Sequence, residues 1–280
     1  MKKLLSFSAL GIILLSGCSS IHEKKTGWEE EGLKGKVKSI RTVEYKAVEK
    51  SGEVVKGYRS DEYLLVFDEK GNQLEWHGYS SDGDLINKYV HKYDDKKNLV
   101  EVSIYRIDNN GLCKLAYMYD DKGNQVEEYA YDANSNLENR YTYEYDDKGN
   151  KVAGNTYYPN GDLECRIINK YDDKGNRVEQ NRYDPDENLT WRSTHMYDDK
   201  GNRIEFNSYN FDGTLDEKTV AKYDDKGNLV EMNIYDSDGS IHYVNIYNYV
   251  YDIIGNWLVK TTYGNDVPQS IEERTIEYFD

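Results

Sequence analysis

The 280-residue sequence has few of the residues that a disulfide-rich or thickly packed protein needs. It contains only three cysteines, three prolines and five phenylalanines. Three cysteines exclude a small scaffold held together by several disulfides. Five phenylalanines beside 28 tyrosines favour a thin sheet or open shell, in which each ring packs on a neighbour while its hydroxyl reaches water.

Basic residues are also scarce. Lysine and arginine number 36 against 52 aspartates and glutamates, which gives a formal net charge of −16. Nucleic acids and anionic lipid surfaces require clustered basic side chains. We therefore predict that neither is a partner of this chain.

Recognisable catalytic motifs are missing as well. The sequence has no nucleophile elbow, no HExxH zinc motif and no phosphate-binding loop. Most carboxylates are copies within a repeat, whereas an acid–base pair requires distinct environments. We predict a non-enzyme with no cofactor and no metal. The five histidines show no metal-ligand spacing; they are His22, His77, His91, His195 and His242.

A long apolar run occurs at the N-terminus. Lys2 and Lys3 precede the mostly apolar segment Leu4–Leu15, which is typical of a secretion signal and short for a membrane-spanning helix. The next residues, Ser-Gly-Cys ending at Cys18, resemble the lipobox of bacterial lipoproteins. The resemblance implies that residues 1–17 are a signal peptide and that Cys18 carries acyl chains that anchor the chain to a membrane. The alternative is an ordinary signal peptide with an incidental cysteine.

The segment after Cys18 is mostly polar and predicts a tether over residues 18–33. The residue directly after the cysteine is Ser19 rather than an aspartate, which resembles the pattern of lipoproteins sent to the outer membrane. We predict a bacterial cell-envelope location at that membrane, with the periplasmic and the surface-facing side both open. Loss of Lys2 and Lys3 with the signal would take the formal charge from −16 to −18.

A repeat of 26 residues fills most of the remaining chain. The motif Tyr-Asp-Asp-Lys-Gly-Asn, or a close variant, recurs in steps of 26, with a last step of 28. A fixed period of this length indicates that neighbouring units bury one another's surfaces. The motif begins at Phe67, Tyr93, Tyr119, Tyr145, Tyr171, Tyr197, Tyr223 and Tyr251.

Each unit reads as strand, turn, strand, turn. Asp and Gly in the motif favour a hairpin turn with positive φ at the glycine. In one unit Lys97 stands at the glycine position. This substitution predicts either a strained left-handed backbone at Lys97 or a different type of turn. An aliphatic residue two positions after the motif and a tyrosine twelve after its start mark one strand. A second turn, clearest at Pro159-Asn160-Gly161, precedes the other.

We therefore predict an all-β fold of tandem two-stranded repeats over residues 67–263. Residues 34–66 predict an N-terminal capping hairpin and residues 264–280 a C-terminal capping strand, because open repeat ends need shielding. Sixteen to eighteen strands would form either an elongated, twisted antiparallel sheet, which we prefer, or an open half-shell.

The Tyr-Asp-x-x-Gly-Asn unit resembles the YD repeats of bacterial Rhs proteins and animal teneurins, and also the hairpin repeats of MORN-type proteins. The resemblance covers roughly residues 67–263. In the large YD-repeat proteins the strands wind into a hollow shell around a toxin fragment, and this chain is too short for a shell of that size. Taken whole, it resembles small YD-repeat lipoproteins.

Four aromatic residues are the candidate ligand-binding side chains: Trp76, Trp191, Tyr183 and Tyr209. Sugars stack on aromatic rings, and both tryptophans occupy positions that otherwise vary between units. The alternative for the repeated tyrosines is a cross-strand packing ladder. Acidic turns such as Asp82-Gly83-Asp84 suggest calcium, but turns favour Asp and Gly without an ion.

Two columns of opposite charge predict cross-strand ion pairs: glutamates eight residues after the motif start and basic residues twenty-one after it. Cys113 and Cys165 occupy the same repeat position two units apart, roughly 19 Å in a sheet, so both are predicted to be free thiols.

The functional prediction is a non-catalytic, envelope-anchored surface that binds a protein or a glycan. One alternative is a structural scaffold or spacer that pairs with envelope components through its sheet edges. Another, which rests on the Rhs resemblance, is an immunity or chaperone partner of a secreted toxin. The ligand and the oligomeric state do not follow from the sequence.

Overall fold

The computed structural model describes residues 25–107 and 111–280. The predicted signal peptide and Cys18 lie outside the described residues. Within them the fold is all-β, as predicted, with one short helix, α1 (Gly27–Glu30). No helix in this part of the chain is long and apolar enough to cross a membrane. The strands are β1 (Val37–Lys50), β2 (Glu53–Phe67), β3 (Gln73–Tyr79), β4 (Leu85–Tyr93), β5 (Leu99–Arg106), β6 (Gly111–Tyr119), β7 (Gln125–Tyr131), β8 (Leu137–Tyr145), β9 (Lys151–Tyr157), β10 (Leu163–Tyr171), β11 (Arg177–Tyr183), β12 (Leu189–Tyr197), β13 (Arg203–Tyr209), β14 (Leu215–Tyr223), β15 (Leu229–Tyr235), β16 (Ile241–Tyr251), β17 (Trp257–Gly264) and β18 (Val267–Tyr278).

The eighteen strands form a closed antiparallel barrel. Each strand pairs with the next in sequence, and β1 pairs with β18 over a register that runs from Val37 opposite Tyr278 to Lys46 opposite Ser270. The predicted elongated sheet and open half-shell are therefore both wrong. Twisted open sheets rarely exceed about 10 strands without curling. Closure also pairs the backbone groups that two free edges would leave exposed.

The segments predicted as caps meet each other. The β1–β2 hairpin lies within residues 34–66, β18 lies within residues 264–280, and these two segments pair directly. They complete the ring between the first and last repeats, so the sheet has no open edge for a cap to shield.

The barrel has a buried inner face and a charged outer face. Successive residues of a strand alternate between the two. Along the inner face Tyr89, Val102 and Ser193 are buried, whereas Met118 and Met196 on the outer face are each more than half exposed. Barrels of 16–18 strands are wide enough to hold water, which fits the half-buried state of most inner side chains.

The predicted charge columns form ion pairs along the outer face. Two units hold only one of the two charges. Ala153 replaces the glutamate of one unit, and Arg166 pairs with Glu144 instead. Val244 replaces the basic residue of another, and Glu231 pairs with Lys222 instead. Each exposed pair contributes little, but the set opposes register slips. Five predicted pairs have nitrogen–oxygen distances of 2.5–3.1 Å: Lys88–Glu75, Lys114–Glu101, Arg140–Glu127, Arg192–Glu179 and Lys218–Glu205.

The motif turns are held by their own aspartates. In one turn, Asp146 Oδ1 accepts hydrogen bonds from the backbone N–H groups of Lys148 and Asn150, and its Oδ2 accepts from Asn150 Nδ2, at 2.8–3.0 Å. Gly149 follows at φ 80°. Lys97 keeps the same turn at φ 64°, so the unit without the glycine tolerates left-handed backbone.

The motif tyrosines join neighbouring units. Tyr145 donates its hydroxyl hydrogen to the carbonyl of Gln125, at 2.8 Å. This carbonyl belongs to the start of the strand after the previous motif turn, so the bond ties successive motif turns together. Phenylalanine could not make this bond, and Phe67 stands only at the first copy of the motif, which has no preceding motif turn. The same bond is made by the motif tyrosines Tyr93, Tyr119, Tyr171, Tyr197 and Tyr223. In the last unit Tyr249 makes it, whereas the motif residue Tyr251 donates its hydroxyl hydrogen to Asp224 Oδ2.

Cys113 and Cys165 are free, as predicted. They lie on β6 and β10, four strands apart.

Removing one motif hydroxyl should destabilise the barrel. We expect Tyr145→Phe to lower the free energy of unfolding by about 1 kcal/mol, because the Gln125 carbonyl loses its donor. Denaturant titration measures the change. Tyr157→Phe is the control, since its hydroxyl has no hydrogen-bond partner among the described residues. Equal losses in both variants would contradict the assigned role.

Restoring glycine to the irregular turn should stabilise the barrel. Lys97→Gly removes the cost of a left-handed side-chain-bearing residue, and we expect a gain of about 1 kcal/mol in the free energy of unfolding. Lys122→Gly, one position earlier in the next unit's turn, should give no gain. A loss of stability in Lys97→Gly, measured in the same titration, would show that this turn is not strained.

Candidate functional site

The helix α1 packs against the barrel at one end. Trp28 of α1 donates its indole N–H to the Val37 carbonyl at 2.7 Å and packs on Gly71 of a motif turn. It contacts the core cluster of Val37, Ile40, Leu65 and Phe67. This end, where the motif turns lie, we call the motif-turn end. The helix therefore covers the part of this end beside β1, β2 and β3, whereas an open depression of about 390 Å³ lies beside Asp172, Asn176 and His195.

Trp76 packs against the same core cluster as Trp28. Its ring stacks on Tyr63, with centroids 6.5 Å apart, and meets Tyr89 edge-on at 5.1 Å. It also covers Gly78, where an added Cβ would lie 2.4 Å from the indole. The Trp76 ring therefore packs against neighbouring aromatic rings.

Tyr183 and Tyr209 lie on the outer face. Tyr209 is opposite Arg192 in the β12–β13 pair, and the Arg192 guanidinium sits 5.5 Å from its ring centroid. Tyr183 is opposite Arg166 in the β10–β11 pair. Because Trp191 precedes Arg192 on the same strand, it points to the other face. The structure thus separates Trp191 from these two tyrosines.

Trp191 lines a cavity on the inner face. The cavity has a volume of about 400 Å³ and is bounded by Ile167, Gln180, Arg182, Thr190 and Trp191; we call it the Trp191 cavity. It lies near the turns that connect β11 to β12, at the end opposite α1. Its size falls within the usual range for small-molecule sites.

The indole of Trp191 is without a partner in the described part of the chain. Trp28 and Trp76 are engaged as described above. Trp257 packs under Arg274, whose guanidinium carbon is 3.6 Å from the ring centroid. The ring of Trp191 makes no stacking or cation contact within residues 25–107 and 111–280, and its N–H donates no hydrogen bond there. Such a half-buried, unpaired indole is unusual.

Arg182 is the residue that the sequence analysis missed. It pairs directly with Trp191 across β11 and β12, so both side chains project into the same cavity. Other units hold small or aliphatic residues at this position, such as Gly78, Ala130 and Ser208. That departure from the repeat was a readable signal, although only the strand pairing shows that it faces Trp191.

A second inner-face feature lies further along β12. Ser193 Oγ and His195 Nε2 are 3.1 Å apart, and both residues are buried. His195 Nδ1 has no hydrogen-bond partner among the described residues. Burial lowers the pKa of His195 from 6.5 to about 4, with smaller contributions from Arg177 and Arg203. The ring is therefore neutral at pH 7.

The titration of His195 tests this environment. Its imidazole should titrate in NMR with a midpoint about 4. Since the folded pKa lies below the unfolded one, His195 stabilises the fold above pH 6.5 and this contribution is lost as the pH falls toward 4. His195→Asn, which introduces the residue of the equivalent position Asn169, should remove that part of the pH dependence. A midpoint near 6.5 would contradict the assignment.

The structure offers no grouped metal ligands. No cluster of three or more His, Cys, Asp or Glu side chains suited to a metal ion occurs among the described residues. In the acidic turns, carboxylate oxygens accept hydrogen bonds from their own turn, as Asp238 Oδ1 does from Ser240.

Comparisons with known proteins give weak resemblances only. No protein family matches the sequence and no curated protein is similar to it. A porin-like protein from Bacteroides uniformis has a TM-score of 0.47 and 11% identity over 86% of this chain and 96% of that one. One from Bacteroides vulgatus scores 0.38 at 11% identity, over 87% and 99%.

The TcdB2–TccC3 protein without its hypervariable C-terminal region scores 0.32 at 13% identity, over 80% of this chain and 15% of that one. This chain therefore spans a small part of that protein's length. All these scores lie below 0.5 and carry no argument about function.

Proposed function

We propose that this chain is a non-catalytic, lipid-anchored binding protein of the bacterial envelope, which binds its ligand at the Trp191 cavity on the inner face of the barrel. One observation carries the proposal. The cavity brings together Trp191 and Arg182, two side chains that the repeat does not require and that have no partner of their own among the described residues. A residue whose only role is packing would be expected to contact neighbouring side chains, as Trp76 contacts Tyr63.

Other features support a role in binding rather than catalysis. The buried Ser193–His195 pair is the nearest arrangement to a nucleophile with its base. A catalytic pair of this kind needs a third group to orient the histidine, and His195 Nδ1 has no such partner in the described residues. The low pKa of His195 also makes it a poor base.

The envelope assignment rests on Cys18. A lipid there would lie seven residues before Lys25, a distance of at most about 25 Å of extended chain. Residues 25–36 lead to the motif-turn end, where Lys34 and Asn256 exchange hydrogen bonds of 2.8 Å. In this arrangement the motif-turn end faces the membrane and the Trp191 cavity faces away from it.

The two alternatives are less well supported. A scaffold function would require a free sheet edge that can pair with envelope components. In the closed barrel each strand already pairs with a neighbour on both sides. The toxin-partner function rests on the YD-repeat resemblance alone, and no contact in the barrel favours it.

The proposal predicts that binding depends on the inner face. The purified full-length protein would be titrated by calorimetry with a panel of envelope oligosaccharides and peptides. We expect Trp191→Asn, which introduces the residue of the equivalent positions Asn87 and Asn139, to weaken any ligand found by at least tenfold, about 1.4 kcal/mol.

Tyr209→Ala is the matched control, because it removes an aromatic ring from the adjacent strand on the outer face. It should leave the affinity within twofold. A ligand that loses affinity in Tyr209→Ala and keeps it in Trp191→Asn would move the site to the outer face and overturn the proposal.

A further inference from the structure

The Trp191 cavity also indicates what kind of ligand it accepts. We infer, on the basis of the proposed function, that the ligand is a saccharide whose pyranose ring carries a carboxylate group. The inference comes from three properties of the cavity: an open indole face, an unpaired guanidinium and a small number of further polar groups.

The indole supplies a flat apolar surface. Trp191 is half-buried and makes no ring contact with another described residue. Its equivalents in the other units include Asn87, Cys113, Asn139, Cys165, Glu217 and Tyr243, so most units of the repeat hold no large ring here. The C–H groups of a pyranose can cover such a face, whereas a flexible peptide would lose more conformational entropy on binding.

The guanidinium of Arg182 supplies the charge. Arg182 is exposed to the cavity and makes no ion pair among the described residues, although acidic side chains outnumber basic ones by 52 to 36. By contrast, the outer-face arginines nearby are paired, as Arg192 is with Glu179 at 3.1 Å. An arginine held apart from carboxylates in so acidic a chain is available for an anionic group of a ligand, and its planar fork matches a carboxylate.

The other polar groups fit hydroxyls better than a second charge. Gln180 donates its amide hydrogen to Asn169 Oδ1 at 3.0 Å, which leaves its own Oε1 as an acceptor. Thr190 donates to the Arg182 carbonyl at 3.1 Å, which fixes the backbone between the two key side chains. One cation, one ring and an uncharged acceptor suit a singly charged sugar residue. They do not suit a polyanion, which the net charge of −16 would also repel.

Calorimetry with two matched methyl glycosides tests the inference on the full-length protein. We expect the methyl α-glycoside of galacturonic acid, which carries a single carboxylate, to bind at least tenfold more tightly than the methyl α-glycoside of galactose, which has the same ring without the carboxylate. Arg182→Ala, which introduces the residue of the equivalent position Ala130, should abolish this preference. Trp191→Asn should weaken the binding of both sugars.

Arg192→Ala is the control, because it removes a guanidinium from the outer face of the neighbouring strand and should leave the preference unchanged. Circular dichroism confirms that each variant is folded. Equal affinity for the two sugars, or a preference that survives in Arg182→Ala, would overturn the inference.

The test separates this inference from the proposed function. If neither glycoside binds but another member of the panel binds in a Trp191-dependent way, the carboxylated saccharide is wrong and the binding function stands. If no member of the panel binds in a Trp191-dependent way, both are wrong.

Discussion

The pairing of β1 with β18 is the constraint on which the rest of this structure depends. It joins the two ends of a repeat array that would otherwise expose edges, and it turns one face of every strand inward. Without it, the inner side chains would lie on an open sheet and Trp191 would be one aromatic residue on a broad surface. With it, α1 and its core cluster pack at the motif-turn end, and the Trp191 cavity lies at the other end.

Repetition gives this barrel a simple criterion for singling out functional residues. Side chains that recur in most units, such as the motif tyrosines and the outer ion pairs, have structural partners that explain them. Side chains that depart from the repeat need another explanation. Lys97 differs from the repeat, and its turn accommodates it with a positive φ. Trp76 also differs from the repeat, and its ring packs on Tyr63. Trp191 and Arg182 depart together, face each other and have no partner among the described residues, which makes their pairing the strongest functional signal in the chain.

The local structure was predictable because its causes are local. Turn chemistry set the hairpins, including the one at Lys97, and the charge columns predicted ion pairs such as Lys114–Glu101. Closure was not predictable, because it depends on curvature accumulated over eighteen strands, to which no short motif corresponds. For the candidate site, the sequence singles out Trp191 in a column that varies between units, whereas its separation from Tyr183 and its pairing with Arg182 depend on strand register. The tyrosine hydroxyls, expected to reach water, instead bond the backbone of the preceding unit.

A cross-link between the first and last strands tests the closure most directly. Ser39 and Glu277 are paired across β1 and β18, so the Ser39→Cys, Glu277→Cys double variant should form an intramolecular disulfide on mild oxidation, visible as a mobility shift in a non-reducing gel. Ser39→Cys combined with Glu231→Cys, on a strand that does not adjoin β1, should not cross-link. Efficient formation of the first disulfide alone is the result that the closed barrel predicts. Failure of that pair to cross-link in folded protein would contradict closure, and with it the inner face on which the binding site depends.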